Sequence, residues 1–264
     1  MAGFLLINPR SGRGRPDADE LAEAAQGRGI RTHVLRQGED APALARRVEA
    51  EALGVAGGDG SLAPVAAVAI ERDLPFVCVP FGTRNHLARD LGLDRSDPNA
   101  ALAAYEGDER RIDVGRAADR LFLNNVSFGV YASLVHRREV HRRRRDAIAR
   151  LRALLRTLRH PRRLRLEVDG RLLKARVVLV ANNAYELNVF DLGARKTLTD
   201  GRLHLYSARG LLPTTWDEES GPTFELGGAG VRRAAIDGEP VGLEAPLTCR
   251  IEPRALRVLV PPGG

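Results

Sequence analysis

Two glycine-rich loops, each fed by an apolar run and followed by a helical pattern, lie about 25 residues apart in the first third of the chain. The first is Val55-Ala56-Gly57-Gly58-Asp59-Gly60-Ser61 and the second is Val79-Pro80-Phe81-Gly82-Thr83-Arg84-Asn85. The feeding runs, Ala52 to Ala56 and Phe76 to Val79, read as buried strands, and the patterns from Leu62 to Ile70 and from His86 to Leu91 read as helices. Consecutive glycines permit unusual backbone angles and let main-chain N–H groups approach a ligand closely. A helix N-terminus just beyond adds positive dipole, so the combination suits an anionic phosphate. The alternative is two ordinary strand-to-helix turns of an α/β sheet. Asp59 argues against that alternative, because a lone carboxylate there calls for a divalent cation, a sugar hydroxyl or a structured water beside it.

The rest of the first 112 residues continues the alternation. Phe4 to Asn8 and Thr32 to Leu35 read as strands, with helices at Asp17 to Gln26, Ala41 to Ala52 and Asn99 to Tyr105. Strands separated by helical patterns imply a parallel sheet of Rossmann-like α/β type, whose ligands sit beyond the carboxyl ends of the strands, where both glycine loops fall. After Asp113 the texture becomes β-rich: Leu121 to Asn125, Leu164 to Val168, Leu172 to Asn182, Arg202 to Ser207 and Leu256 to Val260 read as strands. Asp169-Gly170 between two of these runs is a hairpin signal. The sequence therefore predicts an α/β domain over 1–112 and a mainly antiparallel β-sandwich over 113–252.

Charge sets one segment apart. The formal net charge is +7, and all but two of the 41 basic residues are arginine. They are densest between Arg137 and Arg165, where Ile148, Leu151, Leu155 and Leu158 recur at helical spacing, predicting a basic amphipathic helix over about 136–160. Such a helix either packs by its leucine stripe with a solvated arginine face or lies on an anionic membrane surface. No aromatic residues interleave with the arginines to stack bases, which argues against nucleic acid. Cys78 and Cys249 form no C-x-x-C and suggest a reducing compartment. No signal peptide and no apolar run of spanning length is evident, so the expected location is cytoplasmic, peripheral at most. The Walker A pattern, a complete G-x-G-x-x-G, H-E-x-x-H and G-x-S-x-G are all missing, which disfavours P-loop, dinucleotide, zinc-protease and serine-hydrolase chemistry.

Four motifs in order carry a resemblance. Gly57-Gly58-Asp59-Gly60-Ser61 resembles the G-G-D-G-[TS] signature of the diacylglycerol kinase superfamily, which includes sphingosine, ceramide and bacterial lipid kinases. Pro80 to Ala88 is similar to that family's P-x-G-T-x-N-D-x-A, Asn8-Pro9-Arg10-Ser11-Gly12 to its N-P-x-S-G, and Asp237-Gly238-Glu239 to its late D-G-E. The resemblance implies a nucleotide domain to which the C-terminal segment, about 253–264, can return, a β-rich domain and an active site in the cleft between them, with ATP as phosphoryl donor, Mg²⁺ and a lipid acceptor such as diacylglycerol.

Phosphoryl transfer needs mainly positioning and charge neutralisation. On the resemblance, Gly57, Gly58, Asp59, Gly60 and Ser61 hold the nucleotide phosphates, Thr83 and Asn85 add side-chain hydrogen bonds, and Asn8, Ser11 and Gly12 line the same pocket. Ser61 is also expected to cap the following helix. Glu239 becomes the general base, with Asp237 orienting it or touching magnesium; without the resemblance, Asp237-Gly238 is a plain hairpin turn. Thr197-Leu198-Thr199-Asp200-Gly201-Arg202 is similar to the family's L-x-D-G-x-L, which makes Asp200 a magnesium ligand beside the carbonyls of Thr197 and Arg202. Asp113 looks like a further acid of that network, or else an ordinary turn residue. Asn124 and Asn183 are expected to face the cleft. Two departures stand out: His86 occupies the position of the family's Asp, and Arg36 to Asp40 lacks the threonine often set against the nucleotide. They leave two rivals to a lipid kinase, an NAD-kinase-like small-molecule kinase and a regulator whose kinase activity has decayed.

Overall fold

The computed structural model describes residues 2–12, 14, 16–129, 164–186, 194–208, 216–232 and 234–263. The basic helix expected over about 136–160 lies outside them. The chain divides into two compact units, Met1–Val114 with Tyr185–Asp200 and Pro253–Gly264, and Gly115–Ala184 with Gly201–Glu252. It is a mixed α/β protein with more strand than helix, its strands arranged in two sheets.

The first unit opens with β1 (Gly3–Ile7), α1 (Ala18–Gln26), β2 (Arg31–Val34), α2 (Ala41–Arg47), β3 (Ala52–Gly57), α3 (Asp59–Glu71) and β4 (Phe76–Pro80). Parallel pairing gives the order β2-β1-β3-β4, with Ile7 beside Ala56 and Ala56 beside Val79. Strands β1, β3 and β4 are apolar and almost wholly buried, as strands covered on both faces are, whereas β2 at the end of the order carries Arg31, Thr32 and His33. Helices α1 and α2 start where a side chain can satisfy their first N–H groups. Asp17 and Glu20 form a reciprocal capping box on α1, and Asp40 accepts from Ala43 N–H on α2. Helix α2 stops at Arg47, short of the Ala52 expected from its pattern, because residues 48–51 carry the chain back to the start of the sheet. There Glu51 N–H reaches the Ala2 carbonyl. Helix α3 buries Leu62, Ala63, Val65, Ala66, Val68 and Ala69, residues on nearly every side, as a helix packed within a core does.

Short helices α4 (His86–Asp90) and α5 (Pro98–Ala101) follow, and the helix expected over 99–105 is α5 running into a 3₁₀ turn at Leu102–Glu106. Strand β5 (Asp108–Ala117) then crosses the unit boundary. Leu5, Ile7, Leu21, Val77, Val79 and Leu102 belong to one buried cluster of the first unit.

The second unit contains β6 (Arg120–Phe122), β7 (Asn125–Gly129), β8 (Leu164–Val168), β9 (Arg171–Ala175), β10 (Val177–Asn182), β11 (Leu203–Ala208), β12 (Asp217–Gly221), β13 (Thr223–Gly227), β14 (Ala234–Ile236), β15 (Glu239–Val241) and the first part of β16 (Leu247–Val260). Six antiparallel strands run β12-β11-β10-β7-β14-β15, and β16, β13, β8 and β9 pair antiparallel beside one another. Val126, Phe128, Val178 and Val180 share one core with Leu166, Val168, Phe224 and Leu226, which makes this unit a β-sandwich. Two strands expected as single runs are broken: 121–125 at Leu123-Asn124, and 172–182 at Arg176. The end of β16 pairs parallel with β4, Val258 beside Phe76, within the first unit.

Candidate functional site

The register of the parallel sheet brings three loops of the first unit together. Gly57 pairs with Pro80, and Asn8 N–H donates to the Ala56 carbonyl, so the chain leaves β1, β3 and β4 at one edge. The loops then bind one another. Asn8 Nδ2 donates to Ser61 Oγ at 3.0 Å. A Cβ on Gly12 would fall 2.5 Å from the Phe81 ring, and a Cβ on Gly82 would fall 2.5 Å from Gly58 Cα. Those glycines are required by closeness, since neither sits at positive φ.

Gly58, and not Ser61, is the N-cap residue of α3, and no side chain caps that terminus. Ser61 is the helix's third residue, its N–H bonded to the Gly58 carbonyl and its hydroxyl to Asn8. Asp59 is buried, and its Oδ1 accepts from Leu87 N–H at 3.2 Å, tying the first loop to α4. Asn85 adopts the left-handed conformation (φ 50°), which asparagine tolerates. Its side chain folds onto Gly82, accepting from Gly82 N–H at 2.9 Å and donating to the Gly82 carbonyl at 3.0 Å. The amide expected to point at a ligand thus closes its own loop. Thr83 is exposed, and Ser11 is partly exposed in the turn after β1.

His86, the residue after Asn85, has a buried Nδ1 with no hydrogen-bond partner. Burial pulls its pKa below the ordinary histidine value. Asp59 and Asp90 oppose that shift, while Arg89 and Arg84 reinforce it. Cys78 is buried, and burial first, with the Asp59 charge adding to it, pushes its thiol far up and leaves it inert.

The 194–200 segment also belongs to the first unit and is tied to it by buried groups. Arg195 Nε donates to Asp90 Oδ2 at 2.6 Å, and Arg89 Nε to Asp90 Oδ1 at 2.8 Å. Asp113 N–H donates to the Leu198 carbonyl at 2.8 Å. Asp113 is therefore a strand residue of β5 and not a turn acid, and its Oδ1 accepts from Arg254 N–H at 2.8 Å. Thr197 Oγ1 accepts from Thr199 N–H, and Asp200 is exposed. Arg202, expected among the magnesium ligands, lies in the second unit, where its carbonyl accepts from Asn183 N–H. Among the described residues no three His, Cys, Asp or Glu side chains cluster as metal ligands.

Asp237 and Glu239 also lie in the second unit. Asp237 is buried and accepts three successive backbone N–H groups: Leu123 at 2.8 Å, Asn124 at 2.8 Å and Asn125 at 3.0 Å. It stands at φ 47° with Gly238 at φ 82° in the two-residue turn joining β14 to β15, so the hairpin and the carboxylate role coexist. Asn182 Nδ2 donates to the Leu123 carbonyl, and Asn182 N–H to the Asn124 carbonyl, completing a buried polar knot that includes Asn183. Glu239 leaves this turn exposed at the start of β15.

Residues 2–117 match the diacylglycerol kinase catalytic domain, a stretch that holds both glycine loops. Over that stretch the chain is similar to the diacylglycerol kinase catalytic-domain superfamily. It is accordingly a kinase. A Klebsiella pneumoniae protein described as "Probable lipid kinase YegS-like" is 25% identical over 99% of this chain and 96% of its own. A diacylglycerol kinase of Bacillus subtilis is 27% identical over 66% of this chain and 62% of its own. The fold is that of a diacylglycerol kinase crystal structure from Bacillus anthracis, with TM-score 0.72 at 18% identity, covering 98% of this chain and 96% of the other.

Sequence reasoning missed Asp90, Arg195 and Asn182. Asn182-Asn183, two amides ending an apolar strand, was the visible signal for the last. The Asp90–Arg195 pair has no local signal, because 105 residues separate its partners.

Proposed function

We propose that this kinase transfers the γ-phosphate of ATP to a hydroxyl of a lipid, diacylglycerol or a related amphiphile. The observation that carries the reading is the direct contact of two glycine loops, Gly58 against Gly82, beside the uncapped N-terminus of α3. Amides and helix dipole together favour phosphate there. Asn8 and Ser61 hold the neighbouring turn, and Asp59 fixes α4. Glu239, exposed and carried by the Asp237 turn, takes the proton of the acceptor hydroxyl as its oxygen bonds to the γ-phosphorus and the bond to ADP breaks.

Mg²⁺ fits an oxygen-only donor set, for which Asp200 and the Thr197 carbonyl are the groups we assign. Bound there, it would neutralise phosphate charge. Asp113 has one carboxylate oxygen engaged by Arg254 N–H, and its own N–H places the segment by donating to the Leu198 carbonyl. The arginine-rich stretch from Arg137 to Arg165 would draw the enzyme to an anionic membrane surface on the cytoplasmic side.

Incubation with labelled ATP, Mg²⁺ and anionic vesicles containing diacylglycerol, with NAD as a second acceptor, tests the assignment. Label in lipid supports it, and label in NAD replaces the acceptor. ATP binding without transfer to either favours a decayed enzyme, the reading that His86 at the family's Asp position motivates.

A further inference from the structure

The pair Asp90–Arg195 is among the most enclosed charged contacts of the first unit, with the Arg195 side chain wholly buried and that of Asp90 2% exposed. Its surroundings make stabilisation a poor explanation. Buried ion pairs lose much of their attraction to desolvation, and well-packed apolar residues often replace them without loss. Asp90 also ends α4, where a helix dipole favours a cation. What such a pair does supply is direction, since a guanidinium held by a carboxylate fixes distance and orientation.

The two partners sit at informative places. Asp90 lies at the far end of the five-residue helix that begins directly after Asn85, the residue closing the second glycine loop. Arg195 lies two residues before Thr197 and five before Asp200. The Leu198 carbonyl ties the segment to β5, and the Ala194 carbonyl ties it to Glu186 N–H. The Asp90 contact leads to the glycine loop. Asp90 is itself steadied by Arg89 through its other oxygen.

We propose that Asp90 and Arg195 are positioning residues that lock the Thr197–Asp200 segment in register with the second glycine loop, so that oxygen donors and phosphate-binding amides are set as one unit. The functional half of this inference rests on the kinase reading above; the mechanical half does not.

The experiment uses the full chain with Asp90→Asn, and a double replacement, Asp90→Leu with Arg195→Met, that keeps the volume apolar. Hydrogen exchange is followed without ligand at amides 82–87 and 196–200, and phosphate transfer is titrated with Mg²⁺. Both variants are expected to fold and to exchange faster in both stretches. Both should need about tenfold more Mg²⁺ for half-maximal rate, the size of effect that loosened support of metal-binding groups has, with kcat recovered at saturating Mg²⁺. Should Asp90→Asn unfold, the double variant decides alone. Wild-type exchange and Mg²⁺ dependence in the double variant would overturn the proposal. So would faster exchange confined to 196–200. If the wild-type protein transfers no phosphate, the kinase reading has failed separately, and the paired exchange response still decides whether the two segments are locked together.

Discussion

Gly82 lies so close to Gly58 that a methyl group on the former would meet the latter's Cα at 2.5 Å and the Asn85 Oδ1 at 2.8 Å. Neither neighbour is the free end of a flexible side chain. One is backbone, and the other is the oxygen that accepts Gly82 N–H. The two loops can meet this closely because Gly82 lacks a side chain, whereas a Cβ on Gly58 would lie 3.8 Å from Gly82 Cα, an ordinary contact.

Gly82→Ala should therefore separate the loops. Overpacking at a rigid contact costs about 1–3 kcal/mol, and the displaced amides should weaken ATP binding about tenfold or more. Urea unfolding and calorimetric titration with ATP measure the two effects. Unchanged nucleotide affinity in the folded variant would show that this contact does not shape the phosphate site.

Asp237→Asn isolates the carboxylate's structural work. Asparagine tolerates the left-handed backbone that Asp237 adopts, so the hairpin turn survives. One of its terminal atoms becomes an NH₂ facing N–H donors of the 123–125 stretch, which now lack an acceptor. Hydrogen bonds to a buried charged group are worth about 1.5–3 kcal/mol, and the variant should lose stability by about 2 kcal/mol in urea unfolding. A loss below about 0.5 kcal/mol would mean that the knot repacks without the charge.

Glu239→Gln makes the complementary separation. Glu239 is exposed at a strand start, so its fold contribution is small. As the base, it should lower turnover about 10²–10⁴-fold while ATP binding and the unfolding midpoint stay at wild-type values. Transfer assays beside calorimetry on one preparation check this. Full activity in the variant would remove Glu239 from the role.

The Asp-Gly pairs show what was legible in the sequence and what was not. Asp169-Gly170 was readable as a hairpin because two-residue turns demand positive φ at both positions, and the observed values are 47° and 76°. The same dipeptide at 59 opens a helix, and at 237 it makes a turn whose carboxylate also organises a loop more than 110 residues earlier in the chain. Local chemistry predicts the bend; the third use depends on what the fold brings near. The strand–loop–helix units around Gly58 and Gly82 were legible because apolar runs, glycines and helical spacing agree. Strand β12 was not: Asp217-Glu218-Glu219-Ser220-Gly221 is an edge strand, paired on one side to β11 and open to solvent, so no apolar alternation marks it.

His86 links stability to proton uptake. Its Nδ1 is enclosed without a partner, and the folded protein holds the imidazole neutral below the ordinary pKa of 6.5. Burial is the main cause. Arg89 and Arg84 add to it, and Asp59 and Asp90 work against it. The unfolded chain gains a proton near 6.5 that the folded chain refuses, so the unfolded state binds more protons in the window just below that value. Stability should then be fully present above 6.5 and decline as pH falls through and below it. His86→Asn, neutral at every pH, should lose less stability than wild type between about pH 8 and about pH 5.5. Urea unfolding of both proteins across that range gives the difference. Parallel declines would assign the acid sensitivity to other groups. A steeper wild-type decline would show that the enclosed imidazole has made this loop acid-sensitive.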